Sequence, residues 1–446
     1  MVSIPAHAVL CGLGLAIAVG LWMLHTPADG PWGSRFIAGQ AIAFAAYLGA
    51  LALARSGRLR GVAALTLMLA FALGLRAVTW VRAPRLSTDF YRYIWDGRVA
   101  NAGINPYRYA PANPKLSHLR DDLWRPINHK RVPTIYPPAA QILFAGLWRV
   151  PGGPERTFRC AFVLFDLAAL GLVWMLLVRL RRPREWLVAY AWHPLVITEF
   201  VAGAHVDVVG VCFLLAALVL APPANDRRVG WSAAALGLSI MTKGYALAAL
   251  PFMFRRHGWR YPAWVAVTCA AVTAPFLGAG AALFGGLTQY VARWRSNASL
   301  LLWIERAVAP LTNDEAVAAK AIVLAALIVL AIWLMLRATR DDGDPVRNTF
   351  IILSAALLLG GPVLPWYVAW TVPFLCLWPV AGWVLFTGLA SVAYYTHWSL
   401  PDAVSPAKQV EYGVVYAALA IEGAWRLFRL RRIGRVASTG SAEPSR

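Results

Sequence analysis

Asp89, Arg92, Tyr93 and Asp96, in the stretch TDFYRYIWDGR, recur at i, i+3, i+4 and i+7, a spacing that puts all four on one side of a helix. Two carboxylates around an arginine can hold an anion and move a proton: the guanidinium fork binds phosphate while an acid group deprotonates a hydroxyl. Ser87 or Thr88 is placed to cap such a helix, and Gly103 and Pro106 to stop it. Phe90, Ile94 and Trp95 fall mainly on other sides, free to meet lipid or protein. The pattern predicts an amphipathic helix at a membrane face. It also suits a solvated helix with ordinary Asp/Arg pairs.

Downstream, Arg98, Arg108, Lys115, Arg120, Arg125, Lys130 and Arg131 alternate with tyrosine and tryptophan up to TIYPPAA, which contains Tyr136. A basic surface broken by aromatics suits a phosphorylated lipid, and equally a general attraction to anionic headgroups. A second cluster, AWHPLVITEFVAGAHVDVV, holds His193, Glu199, His205 and Asp207 beside apolar runs. Ionisable groups there face a cavity or mark a functional path, because burial in lipid costs about 3 kcal/mol or more each. His, Asp and Glu together leave a divalent cation open beside hydrogen-bonded substrate or purely structural contacts. Lys243, in SIMTKGYALAALPF, is a lone cation in apolar sequence that either snorkels or faces a phosphate across the break at Gly244. PVLPWYVAW offers Trp366, Tyr367 and Trp370 as interfacial anchors or sugar-stacking rings. TQYVARWRSNAS adds Arg293, Arg295 and Asn297.

These groups need apolar elements to position them. The chain is 59% hydrophobic and 14% charged, with runs such as AIVLAALIVLAIWLML long enough to cross a bilayer as helices. The predicted fold is all-α and polytopic, with about 12–14 transmembrane helices. The net charge of +21 falls in short clusters between apolar runs, which argues for membrane orientation and against nucleic-acid binding. All five cysteines sit in apolar segments without CxxC or Cys/His spacing, which argues against disulfides and a thiolate metal site. The run from about Pro5 to Leu24 lacks a basic leader and reads as a retained first span.

Residues 1–60 read as two N-terminal spans, 61–400 as a transmembrane core with a long loop at 82–157, 401–430 as a C-terminal span and 431–446 as a disordered tail. The basic loops at 55–60, 179–184, 225–230 and 255–260 and the basic C-terminal end share one side under a single register, which predicts both termini cytoplasmic. That register requires Tyr136–Trp148 not to cross. It puts 82–157, 200–205, 280–315 and 398–409 outside. Breaks are expected at Lys243-Gly244 and at Pro362–Pro365, tolerable only where protein or a wet cavity covers the freed backbone groups.

Taken in order, TDFYRYIWDGR…GINPY, YPP, EFVAGAHVD, MTKG…LP and PWYVAW resemble the GT-C class of membrane glycosyltransferases, and most closely the bacterial polyprenol-phosphate-mannose-dependent mannosyltransferases. The resemblance covers roughly Arg76 to Trp383. It implies an outer cavity entered from the bilayer by a lipid-linked sugar, and it maps the class's catalytic aspartate onto Asp89, with Asp96 as second choice. Some members of the class bind a divalent ion and others do not, so the resemblance leaves that cofactor open. It also implies a mannosyl donor on polyprenyl phosphate and a lipid or glycan acceptor.

The chemistry of the residues agrees with this. Inverting transfer needs one carboxylate to take the acceptor proton, while phosphate leaves from the opposite side of the sugar carbon. Arg92, Arg98, Lys243 and Arg293 are candidates to stabilise that phosphate. Tyr93, Tyr136, Glu199, His205, Asp207, Arg295, Trp366 and Tyr367 complete the expected substrate-binding set. No Walker-type glycine loop is present, and a sugar phosphate needs none. Two alternatives share these features: a transporter or flippase for a lipid-linked anionic glycan, and a lipid-oligosaccharide ligase or polymerase using a diphosphate donor.

Overall fold

A computed structural model describes residues 5–24, 34–81, 86–224, 226–338, 343–391, 393–394 and 406–439. These residues form helices joined by turns, with no strand among them. Six helices are long and apolar enough to span a bilayer, and a seventh span results if Pro194–Ala202 and Asp207–Leu220, bent by 116°, are taken together. The chain is therefore an all-α polytopic membrane protein, as expected. Most other expected spans are present as shorter helices and broken pairs.

The first two spans, α1 (Ala6–Leu24) and α2 (Ser34–Arg55), form a close pair. A Cβ on Gly20 would lie 2.6 Å from the carbonyl oxygen of Gly39, so only a missing side chain permits this approach. The third span, α3 (Val62–Trp80), carries the buried Arg76. Its Nε lies 2.5 Å from Asp166 Oδ2 on α6 (Pro154–Arg179), while its Nη1 donates to Ala191 O at 2.7 Å. Tyr190 donates to the other Asp166 oxygen at 2.8 Å. Both charges are thus paired and hydrogen-bonded, the condition under which ions persist in an apolar interior.

Between α3 and α6, α4 (Asp89–Asn101) forms over the predicted stretch, with Thr88 in the capping position and the Asp89 amide donating to Ser87 Oγ at 3.2 Å. Of the lipid or protein left open to its apolar residues, the fold supplies protein. Phe90, Tyr93, Ile94, Trp95 and Val99 are all buried in protein. One side packs on α5 (Pro138–Trp148) so closely that a Cβ on Gly97 would lie 2.5 Å from Phe144 O. The other side is covered by the loop, where Trp95 and Val99 form a small core with Leu116 and Ile127. At 11 residues α5 is too short to cross, as the charge register requires.

Chain breaks then deliver the polar residues. A π-helical turn over Ile197–Ala202 precedes the sharp bend before Asp207. Lys243 is extended between the helix Gly230–Ile240 and a 3-10 turn at Gly244–Ala249, and Pro365 opens a new short helix after Gly343–Leu359 ends. Two helices, Ala282–Arg293 and Leu300–Val308, form within the 280–315 stretch that is expected outside. The last helix, Pro406–Thr439, continues through 431–439, part of the expected disordered tail. Residues 401–405 and 440–446 lie outside the described residues.

Candidate active site

A cavity of about 310 Å³ opens where α4, the long loop, the Lys243 break and the Pro365 break meet. Asp89 is the one carboxylate lining it among the described residues. Its Oδ1 accepts a hydrogen bond from Asn128 Nδ2 at 2.7 Å, and its Oδ2 has no partner among the described residues.

Arg92 lines the same cavity one turn further along α4. Its Nε donates to Asp96 Oδ1 at 2.9 Å and its Nη1 to Val132 O at 3.1 Å, while Nη2 is buried without a hydrogen-bond partner. A guanidinium edge so placed can receive an anion. Asp96 does not line the cavity. Both of its oxygens are taken, Oδ1 by Arg92 and Oδ2 by Thr134 Oγ1 at 2.6 Å and Gln141 Nε2 at 3.0 Å.

Lys243 supplies a second cation. Its Nζ donates to Asp207 Oδ2 at 2.9 Å and lies 4.9 Å from the centre of the Tyr367 ring. Asp207 in turn accepts from Trp370 Nε1 at 2.9 Å, so the aspartate aims the lysine and does not itself face the cavity. Lys243 also lines an adjoining, mainly apolar groove of about 450 Å³, bounded by Leu247, Leu287, Leu327, Ile328, Ala331 and Leu353. Tyr136, Tyr290 and Tyr367 line both spaces, with the Tyr290 and Tyr367 hydroxyls 2.5 Å apart. Burial pushes the Tyr136 phenol well above its usual range, and the nearby Asp89 charge adds to the rise. Tyr290 is raised too, by burial, against the opposing effect of its Tyr367 hydrogen bond. These phenols stay protonated and serve as donors.

The remaining expected residues separate into support and outliers. The single Tyr394 hydroxyl donates to the Glu199 carboxylate, 2.7 and 2.9 Å from its two oxygens, and Glu199 Oε2 lies 3.2 Å from His205 Nδ1. The His205 ring stacks on Trp366 at 4.1 Å. Trp366 and Tyr394 line the cavity, so Glu199 and His205 brace its wall from behind. Tyr93 packs its ring against Tyr136 and Phe144. Arg98 points elsewhere, to Leu119 O and Asp121. Arg293 is exposed and Arg295 pairs with Glu305 at 3.4 Å; neither lines the cavity.

The Glu199 and His205 side chains face each other, whereas Asp207 is directed to Lys243 and Trp370, so the three do not make a metal-binding set. No group of three or more His, Cys, Asp or Glu suited to a metal ion occurs among the described residues. Asn128 and Tyr394 were not anticipated, and neither lies in a pattern with recognisable spacing. Tyr290 lies in TQYVARWRSNAS, whose expected site residues are Arg293, Arg295 and Asn297.

No solved structure matches the chain. Residues 10–256 match the family described as alpha-(1->6)-mannopyranosyltransferase, N-terminal domain, and residues 297–429 match the MptB C-terminal domain. A probable alpha-(1->6)-mannopyranosyltransferase of Mycolicibacterium smegmatis is 25% identical over 364 residues, which are 69% of this chain and 63% of the relative. The chain thus spans just under two thirds of that relative's length. Because the first match alone reaches over more than half of the sequence and includes both Asp89 and Lys243, this chain belongs to the alpha-(1->6)-mannopyranosyltransferase family.

Proposed function

We propose that the protein is a membrane mannosyltransferase that moves mannose from a polyprenyl-phosphate donor to a lipid-linked or glycan acceptor, on the extracytoplasmic side. The linkage named for the relative and the family, α-(1→6), is the one we assign to the product. One observation carries the reading: a cavity lined, among the described residues, by the carboxylate of Asp89 and the cations of Arg92 and Lys243 adjoins an apolar groove, with Lys243 at the junction. Such a pair of spaces suits a molecule with a sugar, a phosphate and a long hydrocarbon chain, in that order. Ile328 on the groove is half exposed, which supports entry from the bilayer. The basic short loops support placing the long loop, and with it the cavity, outside.

In this mechanism Asp89 is the general base. Its unpartnered Oδ2 takes the proton of the acceptor hydroxyl as that oxygen bonds to the anomeric carbon from the face opposite the phosphate. The bond from that carbon to the phosphate oxygen breaks, its electron pair leaves with polyprenyl phosphate, and the anomeric configuration inverts. Arg92 Nη2 and Lys243 stabilise the charge that develops on the leaving phosphate. Asp96 has a different role: held by three neighbours, it fixes Arg92. Trp366 and Tyr367 form the wall against which the sugar lies.

Purified protein incubated with labelled polyprenyl-phosphate mannose and membrane acceptors tests this reading. We expect transfer by the wild type and a loss of about 10²- to 10⁴-fold in Asp89→Asn. Full activity of that variant would reject Asp89 as the base. Absence of transfer by the wild type with mannose, glucose and arabinose donors alike would reject the enzyme reading in favour of transport.

A further inference from the structure

Asn128 lies 39 residues beyond Asp89, yet its amide reaches the Asp89 carboxylate at 2.7 Å and lines the same cavity. The loop that brings it there is fastened to α4 on both sides of Asn128. On one side Ile127 is buried against Trp95 and Val99, and on the other Val132 O accepts from Arg92 Nη1. Between them the chain turns through a left-handed residue, His129 (φ 44°), closed by a hydrogen bond of 2.9 Å from Val132 N to His129 O. Thus α4 carries the aspartate, and the loop docked on α4 carries the group that orients it.

The choice of donor suits a base. A guanidinium on Asp89 would stabilise the ionised carboxylate strongly and weaken it as a proton acceptor, whereas an amide dipole orients it with less loss of basicity. Arg92, one turn along the same helix, pairs instead with Asp96 through its Nε. Among the described residues, the other titratable or charged groups around Asp89 are Tyr93, His129, Tyr136, His205, Lys243, Tyr290, Tyr367 and Tyr394, from α4 itself, the other walls of the cavity or just behind them.

We propose that Asn128 is a positioning residue for the base: by holding Oδ1 of Asp89, it turns Oδ2 toward the acceptor hydroxyl. The proposal rests on Asp89 acting as the general base, so its test includes the base variant as a separate arm.

The experiment compares wild type, Asn128→Ala, Asn128→Asp and Asp89→Asn for kcat, donor KM and the pH dependence of kcat in detergent, with thermal melting as a check on folding. Asn128→Ala should lower kcat about 10- to 100-fold with the donor KM little changed, because misplacement of a reacting group affects the chemical step. Removing a donor from a carboxylate raises its pKa, so the acidic limb of the profile should move to higher pH. Asn128→Asp keeps the shape of the side chain but sets a second carboxylate against the first, which should move that limb further, by about one unit or more. This isosteric variant carries the test alone if the alanine variant fails to fold. An unshifted acidic limb and unchanged kcat in a folded Asn128 variant, with Asp89→Asn inactive, overturn the role of Asn128 and leave the base assignment standing. Full activity of Asp89→Asn overturns the base assignment itself, and the positioning role with it.

Discussion

Lys243 Nζ and Asp207 Oδ2 lie 2.9 Å apart, and the lysine so aimed stands in the walls of both the polar cavity and the apolar groove. Asp207 is fully buried at the first turn of its helix, where the helix dipole also favours its charge. The pair links the bend after Ala202 to the break at Gly244.

This arrangement separates two effects of changing Lys243. Lys243→Met should raise the donor KM by at least about tenfold, since a cation facing a desolvated phosphate is lost, and leave the acceptor KM unchanged. It should also lower stability by roughly 3–5 kcal/mol, because Asp207 would remain buried without its cation. Lys243→Met combined with Asp207→Asn should recover the stability without recovering the donor KM. Recovery of both by the double variant would show that the lysine acts only as a structural partner.

The groove predicts a dependence on chain length. Ala331→Trp, on the helix Glu315–Arg337, should fill the groove and depress transfer from a long-chain polyprenyl-phosphate donor. A donor with a short alkyl chain, which needs less of the groove, should be affected by less than about twofold. Equal losses with both donors would place the hydrocarbon chain elsewhere.

Arg76 and Asp166 predict a stability effect remote from the chemistry. Arg76→Leu leaves a buried carboxylate and should cost roughly 3–5 kcal/mol, seen as a lower melting temperature in detergent. Arg76→Leu with Asp166→Leu should regain most of that loss, because two apolar residues can replace a buried pair at little net cost. A double variant no more stable than the single one would mean that hydrogen bonds to Ala191 O and Tyr190, and not the charge pair, carry the stabilisation.

The sequence by itself determined that this chain is a bundle of membrane helices, because long apolar runs have no other stable arrangement in lipid. It also pointed to where the helices break, since Gly244 weakens a helix and Pro365 lacks the N–H of a regular ladder, and it put Asp89, Arg92 and Asp96 on one face through the helical period. Only the tertiary structure gave the two carboxylates different surroundings. Thr134 and Gln141 reach Asp96 from the segment leading into α5 and from α5 itself, while Asn128 reaches Asp89 from a docked loop. Those contacts join residues 38 to 45 positions apart, beyond the range of any local pattern. The same limit applies to the cations. Arg92, Lys243, Arg98 and Arg293 are alike in composition, but only packing turned the first two toward the cavity and gave Arg98 to Asp121.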